Sequence, residues 1–375
     1  MRTVVMLDWH VRQYRRPFYD LVARQLAERG YRFEIAVVEP PPTMAARGDF
    51  TLRATDHAIK SRWFSVRSRP IVFRHVGELR ATLRPDVIIS EQAVRNLDLL
   101  PLLALPRSTR PLVALWGHGM TLGGQRGAAM ERYKEWLTLR SDWFFAYNAA
   151  GGEWAQSLGY PSERITVFNN STDTRRLVSL LESVRQEVRN EFVERNQLVP
   201  GKTAIFLGGL DGAKRLDLLL DAAERVAAVD AEFVLLVAGS GVDANRVRHH
   251  ASVKRWLRYL GRLDGEEKAV ALASSDFIMI PDNIGLIATD SFAAGKPIVT
   301  TAGTSHGPEF AYLADDVTAL IGEPDIAQYV ASVTRLMNDP ELLGRLSKNC
   351  LLESQNYSLE LMADLFVDGV DAMCR

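Results

Sequence analysis

The sequence predicts two successive α/β domains, each built around a parallel sheet. Short apolar runs alternate with segments of helical spacing along most of the 375 residues, which is the rhythm of βαβ units. The first series of apolar runs covers residues 4–7, 33–38, 87–89, 112–116, 143–147 and 165–168. A second series begins at Thr203, and a chain of this length can form two domains of ordinary size.

The second series repeats the pattern without a close internal repeat. Its strands are predicted at residues 204–207, 233–238, 257–260, 277–280, 298–301 and 319–321. A highly charged segment of helical spacing at 174–198 is expected to bridge the two halves. We therefore divide the chain into a domain at 1–172, a domain at 173–356, and a last helix at 357–375.

The composition is typical of a soluble globular protein. Hydrophobic residues make up 47% and charged residues 24%, and no apolar run approaches the ~20 residues of a membrane span. The first residues predict a strand rather than a signal peptide, and two cysteines, Cys350 and Cys374, form no disulfide framework. We expect a cytoplasmic protein. No Cys/His set has zinc spacing, so we expect no metal and no cofactor.

Charge is unevenly distributed along the chain. Residues 1–170 contain 24 Lys and Arg against 16 Asp and Glu, a net +8, and the remaining residues carry −9. The basic half would face an anionic acceptor, or it would make a peripheral contact with the inner face of a membrane. Alternatively, the opposite charges of the two halves only attract the two domains to each other. No basic run with interleaved aromatics stands out, so nucleic acid is not an expected partner. The oligomeric state is left open.

Residues 280–301 are the most informative stretch. An apolar run ends at Pro281, a polar turn follows, and a helix is predicted from about Gly285 to Ala294, where glycine and proline stop it. Ligands of parallel sheets bind at the carboxyl ends of the strands, and a helix N-terminus offers free N–H groups to phosphate. Asp282 and Asp290 flank this helix start, which suggests a ligand with both phosphate and hydroxyl groups. Alternatively, Asp282 is only an N-cap and Asp290 a solvated helix residue.

The stretch resembles a known family motif. The retaining GT-B glycosyltransferases of the large family 4 (glycosyl transferases group 1) carry an acidic residue, seven others, a second acidic residue, and then Gly-x-Pro-Val-Val. This chain has Asp282, seven residues, Asp290 and then Gly295-Lys296-Pro297-Ile298-Val299. The family usually has Glu at both acidic positions. Aspartate is one methylene shorter, so its reach to sugar hydroxyls differs.

A glycine-rich turn follows the first strand of the second half. The run from Gly208 to Asp217 resembles the family pattern Gly-Arg-Leu-x-x-x-Lys-Gly, in which both basic residues contact phosphate. Lys214 is kept, whereas Gly209 stands at the arginine position. Glycines allow close backbone approach to a ligand, and a lysine can neutralise a diphosphate. The alternative is an ordinary βα turn with a surface lysine.

Further loops match the family less specifically. Gly239 lies in an Ala-Gly-Ser-Gly turn, and Arg262 with Leu263 matches the loop beside the nucleotide base. In the first half, His118 follows a strand where family members carry a histidine near the reacting sugar. Arg15 and Arg16 would help it to present the acceptor.

The resemblance implies a GT-B fold, with two Rossmann-like domains facing each other across a cleft. It implies transfer of a sugar from a nucleotide sugar to a saccharide, lipid-linked or small-molecule acceptor. The expected catalytic residues are His118, Lys214 and Asp282. The expected donor-binding residues are Gly208, Gly209, Lys214, Arg215, Gly239, Arg262, Leu263, Asp282, Asn283, Ile284, Gly285, Leu286 and Asp290. A nucleotide-sugar epimerase of the same fold and a non-catalytic nucleotide-sugar-binding subunit are the alternatives.

Overall fold

The computed structural model describes residues 1–38, 52–66, 69–120, 127–303 and 305–375, without the side chains of 65, 66, 69 and 70. Gly123 and Gly124, where the glycine-rich sequence before residue 128 predicts a loop, lie outside these ranges. The chain forms two compact units, Met1–Thr172 with Leu359–Arg375, and Asp173–Ser358. The boundaries predicted from the sequence are 172/173 and 356/357.

The N-terminal unit contains a seven-stranded parallel sheet and a two-stranded hairpin. Its strands are β1 Arg2–Leu7, β2 Tyr31–Val37, β3 His57–Ala58, β4 Ser61–Val66, β5 Arg69–Arg74, β6 Val87–Glu91, β7 Leu112–Gly117, β8 Trp143–Ala146 and β9 Ile165–Val167. Its helices are α1 Arg16–Glu28, α2 Val76–Leu83, α3 Leu99–Ala104, α4 Ala128–Arg140, α5 Ala149–Ser157 and the last helix, Leu359–Met373. The sheet order is β3-β2-β1-β6-β7-β8-β9, and β4 pairs with β5 alone.

The C-terminal unit contains a six-stranded parallel sheet. Its strands are β10 Thr203–Leu207, β11 Val234–Ala238, β12 Leu257–Gly261, β13 Phe277–Met279, β14 Ile298–Thr301 and β15 Ala319–Gly322, in the order β12-β11-β10-β13-β14-β15. Its helices are α6 Thr174–Ser183, α7 Gln186–Asn196, α8 Leu216–Val229, α9 Ala244–Val253, α10 Gly265–Ala273, α11 Ile287–Ala294, α12 Ile326–Asn338 and α13 Pro340–Glu353.

The long strands of both halves lie within a few residues of their predicted positions, because fully buried parallel strands appear as continuous apolar runs. The hairpin β4–β5 and the two-residue strand β3 were not predicted. The charged segment at 174–198 forms two helices inside the C-terminal unit rather than one connecting helix. None of the helices in the described ranges is long and apolar enough to cross a bilayer.

Alternation along β1 divides the core of the N-terminal unit into two layers. Val4 and Met6 pack on the side that also holds Phe366 of the last helix, whereas Val5 and Leu7 pack on the opposite side. Successive side chains of a strand point to opposite faces, so a continuously apolar strand needs helices on both. The last helix thus completes one face of the N-terminal sheet.

Gly369 is where that helix meets the sheet, and Gly369→Ala is expected to destabilise the protein. A Cβ at Gly369 would lie 2.5 Å from both Phe145 Cε1 and Thr166 Oγ1. The Phe145 ring stacks on Phe366 with centroids 4.5 Å apart, so the Phe145 ring has little room to move away from a new methyl group. We expect the free energy of unfolding, measured by urea denaturation, to fall by about 1–3 kcal/mol.

The matched control is Gly344→Ala in the middle of α13, where a Cβ would meet nothing within 4 Å. Alanine is the better helix former, so this variant should gain up to about 1 kcal/mol. Equal gains for both variants would contradict the close packing of the last helix.

Candidate nucleotide-sugar site

The strand order of the C-terminal sheet creates a crevice. Connections run outward in one direction from β10 to β12 and in the other from β13 to β15, so the order reverses between β10 and β13. The loops that leave these two neighbouring strands therefore diverge, which is where doubly wound sheets bind ligands. They are the loops at residues 208–215 and 280–286 that the sequence analysis selected.

Glycines hold the first of these loops against its neighbour. Leu210 N–H donates to Ser240 O at 2.9 Å, which fixes the two turns side by side. A Cβ at Gly239 would lie 1.9 Å from Gly208 O, and one at Gly241 would lie 2.3 Å from Leu210 O. Any larger residue at either position would collide with backbone, so this part of the crevice requires glycine.

Lys214 joins the two loops. It ends a short turn, Gly212–Lys214, and its side chain runs past Gly208, where a Cβ would lie 3.4 Å from Lys214 Cε. The ammonium group donates to the carbonyl oxygen of Asn283, which leaves two of its three N–H donors for other partners. Lys214 and the loop after β13 thus meet at the point where the strand order reverses.

Carboxylates surround this lysine. Burial lowers the pKa of the Lys214 ammonium group, and three negative charges oppose that shift, those of Asp211, Asp282 and Glu309. Nearby carboxylates favour the charged ammonium form. A single cation among acidic groups is suited to a ligand that presents both anionic oxygens and hydroxyl donors.

The helix after β13 begins later than predicted. It starts at Ile287 instead of Gly285, and two of the amides expected to be free have partners. The Asn283 N–H donates to its neighbour Asp282 at 2.7 Å, and the Ile284 N–H donates to His306 Nδ1 at 3.0 Å. Within the described ranges, the N–H groups of Gly285, Leu286 and Ile287 have no hydrogen-bond acceptor. Of the amides predicted to bind phosphate, those of Gly285 and Leu286 remain without an acceptor in the described part of the chain, and that of Ile287 joins them.

A neutral His306 holds the loop after β13 through both of its ring nitrogens. Its Nδ1 accepts from Ile284 N–H, and its Nε2 lies 2.8 Å from Thr301 O, to which it can only donate. Burial lowers the pKa of the imidazole, so the ring is neutral near pH 7. Asp282 Oδ1 lies 3.6 Å from Nε2. No role was predicted for His306 from the sequence. In the structure it holds the loop that carries Asp282.

Asp290 is buried and ion-paired. It has a relative exposure of 9%, and its Oδ2 lies 2.6 Å from the Nζ of Lys268 on α10. A solvated surface residue, the alternative considered from the sequence, does not describe this carboxylate. Lys268 lies outside the motifs that the resemblance supplied. The buried Glu309 ends the run Ser305-His306-Gly307-Pro308-Glu309, which resembles a subgroup pattern of the family but was assigned no chemistry from the sequence.

Other predicted donor residues lie at the surface. Arg215 pairs with Asp217 at 3.4 Å, and Arg262 pairs with Asp264 at 3.2 Å. Leu263 packs partly against the core of the unit. Gly209 is close to Asp211, with a Cβ position 3.4 Å from Oδ2. The structure therefore brings Lys214, Asp282 and Asn283 together and gives both arginines acidic surface partners.

The N-terminal sheet has its own reversal of strand order, between β1 and β6. Asp8 follows β1 and Glu91 ends β6, and neither was selected from the sequence. Burial and the charge of Glu91 raise the pKa of Asp8. Burial would also raise the pKa of Glu91, but Arg95 and weaker contributions from Arg12 and His118 lower it overall. Two neighbouring carboxyl groups with opposite pKa shifts mark this edge as a candidate functional site.

His118 lies at the same edge, directly after β7. Its ring packs edge-to-face on Tyr147 with centroids 4.8 Å apart. Burial lowers the pKa of His118 to about 4, although Glu91 opposes the shift. The buried Nδ1 of this neutral imidazole is unpaired among the described residues, and the role of His118 near the reacting sugar stays a prediction.

Arg15 and Arg16 have internal partners instead. Arg15 donates to Asn170 Oδ1 at 2.8 Å and lies over the Trp116 ring, 5.3 Å from its centroid. Arg16 binds the carboxylate of Asp56 with both terminal nitrogens, one at 2.8 Å. Their relative exposures are 6% and 5%. The acceptor role of these arginines stays a prediction, and their placement does not favour it.

Comparison with solved structures identifies the class of fold. The protein resembles HepE of Anabaena in complex with UDP, with a TM-score of 0.72 and 12% identity over 99% of this chain and 100% of HepE. It resembles a glycosyltransferase of Rickettsia africae with a TM-score of 0.73 and 12% identity over 100% of this chain and 99% of that one. UDP-GlcNAc 2-epimerase of Neisseria meningitidis has a TM-score of 0.66 and 13% identity, over 99% of each chain. The fold is GT-B, with two Rossmann-like domains.

Sequence profiles define the family. Residues 19–176 match Glycosyltransferase Family 4, and residues 188–351 match Glycosyl transferases group 1. Phosphatidyl-myo-inositol mannosyltransferase of Mycobacterium leprae is 33% identical over 107 residues, and that of Mycobacterium tuberculosis H37Rv is 34% identical over the same length. Each match spans 27% of this chain and 28% of the length of these curated relatives. The chain belongs to glycosyltransferase family 4, the glycosyl transferases group 1.

Proposed function

We propose that this protein is a retaining glycosyltransferase that moves a sugar from a nucleoside-diphosphate donor to a hydroxyl group. The acceptor is a saccharide, a lipid-linked or a natural-product molecule. The observation that carries the proposal is the contact between Lys214 and Asn283, which joins two loops at the reversal of strand order. Neighbours of this fold bind UDP and UDP-glucose, which supports a ligand of the same class here.

Different residues of the site would bind different parts of the donor. Lys214 and the N–H groups of residues 285–287 would hold the diphosphate and stabilise the charge that develops as it leaves. Asp282 would orient hydroxyl groups of the donor sugar, and Asp290 would accept hydrogen bonds from the ribose. No protein nucleophile is required if the departing phosphate accepts the proton of the acceptor hydroxyl on the same face of the sugar.

Binding of nucleoside diphosphates is the first test. UDP, GDP, ADP and TDP are added separately, and the melting temperature is measured by thermal shift. One base should raise it, since a ligand at 100 times its Kd stabilises the folded state by about 2.7 kcal/mol. Asp290→Ala should reduce that shift, whereas Asp221→Ala, an exposed acidic residue on α8, should not. No shift with any of the four would overturn the proposal.

Product analysis separates the proposed activity from an epimerase, which the similarity to the Neisseria enzyme keeps open as a second candidate. The protein is incubated with a panel of nucleotide sugars, with and without acceptors. Transfer with retained anomeric configuration supports the proposal. An epimerised nucleotide sugar supports the second candidate, and binding without any product identifies a non-catalytic subunit.

A further inference from the structure

The hairpin β4–β5 presents two different faces. Trp63 pairs with Val72 on one face, whereas Arg62 pairs with Phe73 on the other, where Phe64 also lies, opposite Ile71. Side chains alternate between faces along each strand, so the faces differ in chemistry. We call the face of Arg62, Phe64, Ile71 and Phe73 the outer face.

The opposite, inner face fixes the hairpin to the N-terminal unit. Val72 is fully buried, and the Trp63 ring packs edge-on against Trp9 with centroids 5.2 Å apart. The Val72 N–H donates to Arg95 O at 2.9 Å, and its carbonyl accepts from Leu97 N–H at 3.0 Å. A hairpin held by packing and by backbone hydrogen bonds presents its outer face in a defined orientation.

The outer face is aromatic and exposed. Phe64 has a relative exposure of 51% and Phe73 of 36%, and they are the exposed phenylalanines of the described residues. Arg62, which lies beside them, is exposed and has no acidic partner within the same ranges. Apolar side chains grouped at a surface with an unpaired cation indicate a binding surface rather than isolated exposed residues.

Charge decides which partner fits this face. Residues 57–77 contain five basic side chains and no acidic one. Arg74 is fully buried against Asp98, and Lys60 lies 4.0 Å from Glu78, which leaves Arg62 as the exposed cation without an acidic partner among the described side chains of this segment. A second copy docking through the same face would bring like charges together. An anionic partner that accepts aromatic side chains complements this face.

We infer that the outer face of this hairpin docks on an anionic lipid surface. Aromatic side chains are favoured at the level of the lipid headgroups, and each Lys or Arg near an anionic leaflet adds attraction. The hairpin contacts the segment that follows β6, and β6 ends at Glu91. Docking would thus bring the edge with Glu91 and His118 close to the bilayer. If the proposed function holds, this favours a lipid-linked acceptor.

Co-sedimentation with vesicles tests the inference without reference to activity. The full chain is mixed with vesicles of phosphatidylcholine alone or with 30% phosphatidylglycerol. Wild type should sediment with the anionic vesicles, and high salt should release it. Phe64→Ser combined with Phe73→Ser, and separately Arg62→Glu, should each lower the partition coefficient about tenfold or more. Circular dichroism and the melting temperature show whether each variant is folded.

Matched controls lie on the C-terminal unit. Val242→Ser combined with Val253→Ser removes two apolar side chains of 87% and 64% exposure, and Arg225→Glu reverses an exposed charge. Both should bind vesicles like wild type. The inference is overturned if wild type ignores anionic vesicles, if folded hairpin variants bind as well as wild type, or if the hairpin variants lose only self-association. Failure here leaves the nucleotide-binding test unaffected.

Discussion

Replacing Lys214 by methionine or alanine is expected to lower kcat/KM for the donor by about 10²–10³-fold, because under the proposed function this side chain would supply a cation where the diphosphate charge develops. The ammonium group lies beside Asn283 at the reversal of strand order, and the family arginine is replaced by Gly209. Arg215, the other cation of the glycine-rich loop, lies at the surface beside Asp217. Steady-state kinetics with the identified donor measure the effect.

Methionine is the sharper of the two substitutions. It keeps an unbranched side chain alongside Gly208 and removes only the charge and its donors. Lys348→Ala on α13, an exposed lysine of the same unit, provides the control and should leave kcat/KM within about twofold of wild type. If Lys214→Met retains wild-type turnover, the diphosphate is held elsewhere.

Gly239→Ala is expected to cost about 3 kcal/mol of unfolding free energy and to abolish nucleotide binding. The new Cβ would lie 1.9 Å from Gly208 O, so two backbone segments would have to separate. Overpacking against backbone has no side-chain rotamer through which to relax. Urea denaturation gives the stability, and the thermal-shift assay gives the loss of binding.

Gly212→Ala is the control in the neighbouring turn, where a Cβ would meet nothing within 4 Å. Its unfolding free energy should change by less than about 0.5 kcal/mol. A Gly239→Ala protein as stable as Gly212→Ala would show that the two loops do not approach as closely as described.

Strands were easier to predict than hairpins for a physical reason. A parallel strand covered on both faces needs apolar residues at nearly every position, so β10 and β11 can be recognised from the sequence alone. The hairpin β4–β5 alternates basic, polar and apolar residues because only one of its faces is buried. The basic and aromatic pattern that the sequence analysis did not recognise becomes visible once Arg62, Phe64 and Phe73 share a face.

The candidate site was predictable where one segment carries the signal. The spacing of Asp282 and Asp290 and the glycines before Lys214 are local features, and the resemblance to family 4 depends on them. Lys268 was missed because it contacts Asp290 from a segment earlier in the chain, and Glu309 received no role because the run that contains it carries no chemistry of its own in the sequence. The charge of Asp290 is balanced by Lys268, which lies 22 residues earlier in the chain and whose Nζ is 2.6 Å from Asp290 Oδ2.

The sequence by itself determined the alternation of strands and helices, the glycine turns at strand ends, and the family, because each depends on residues close together in the chain. Only the tertiary structure decided which amides at the start of α11 are free, which arginines are internally paired, and which carboxylates surround Lys214. Those properties depend on contacts between segments that the chain order separates, and on the burial that shifts pKa values only after the sheets have formed.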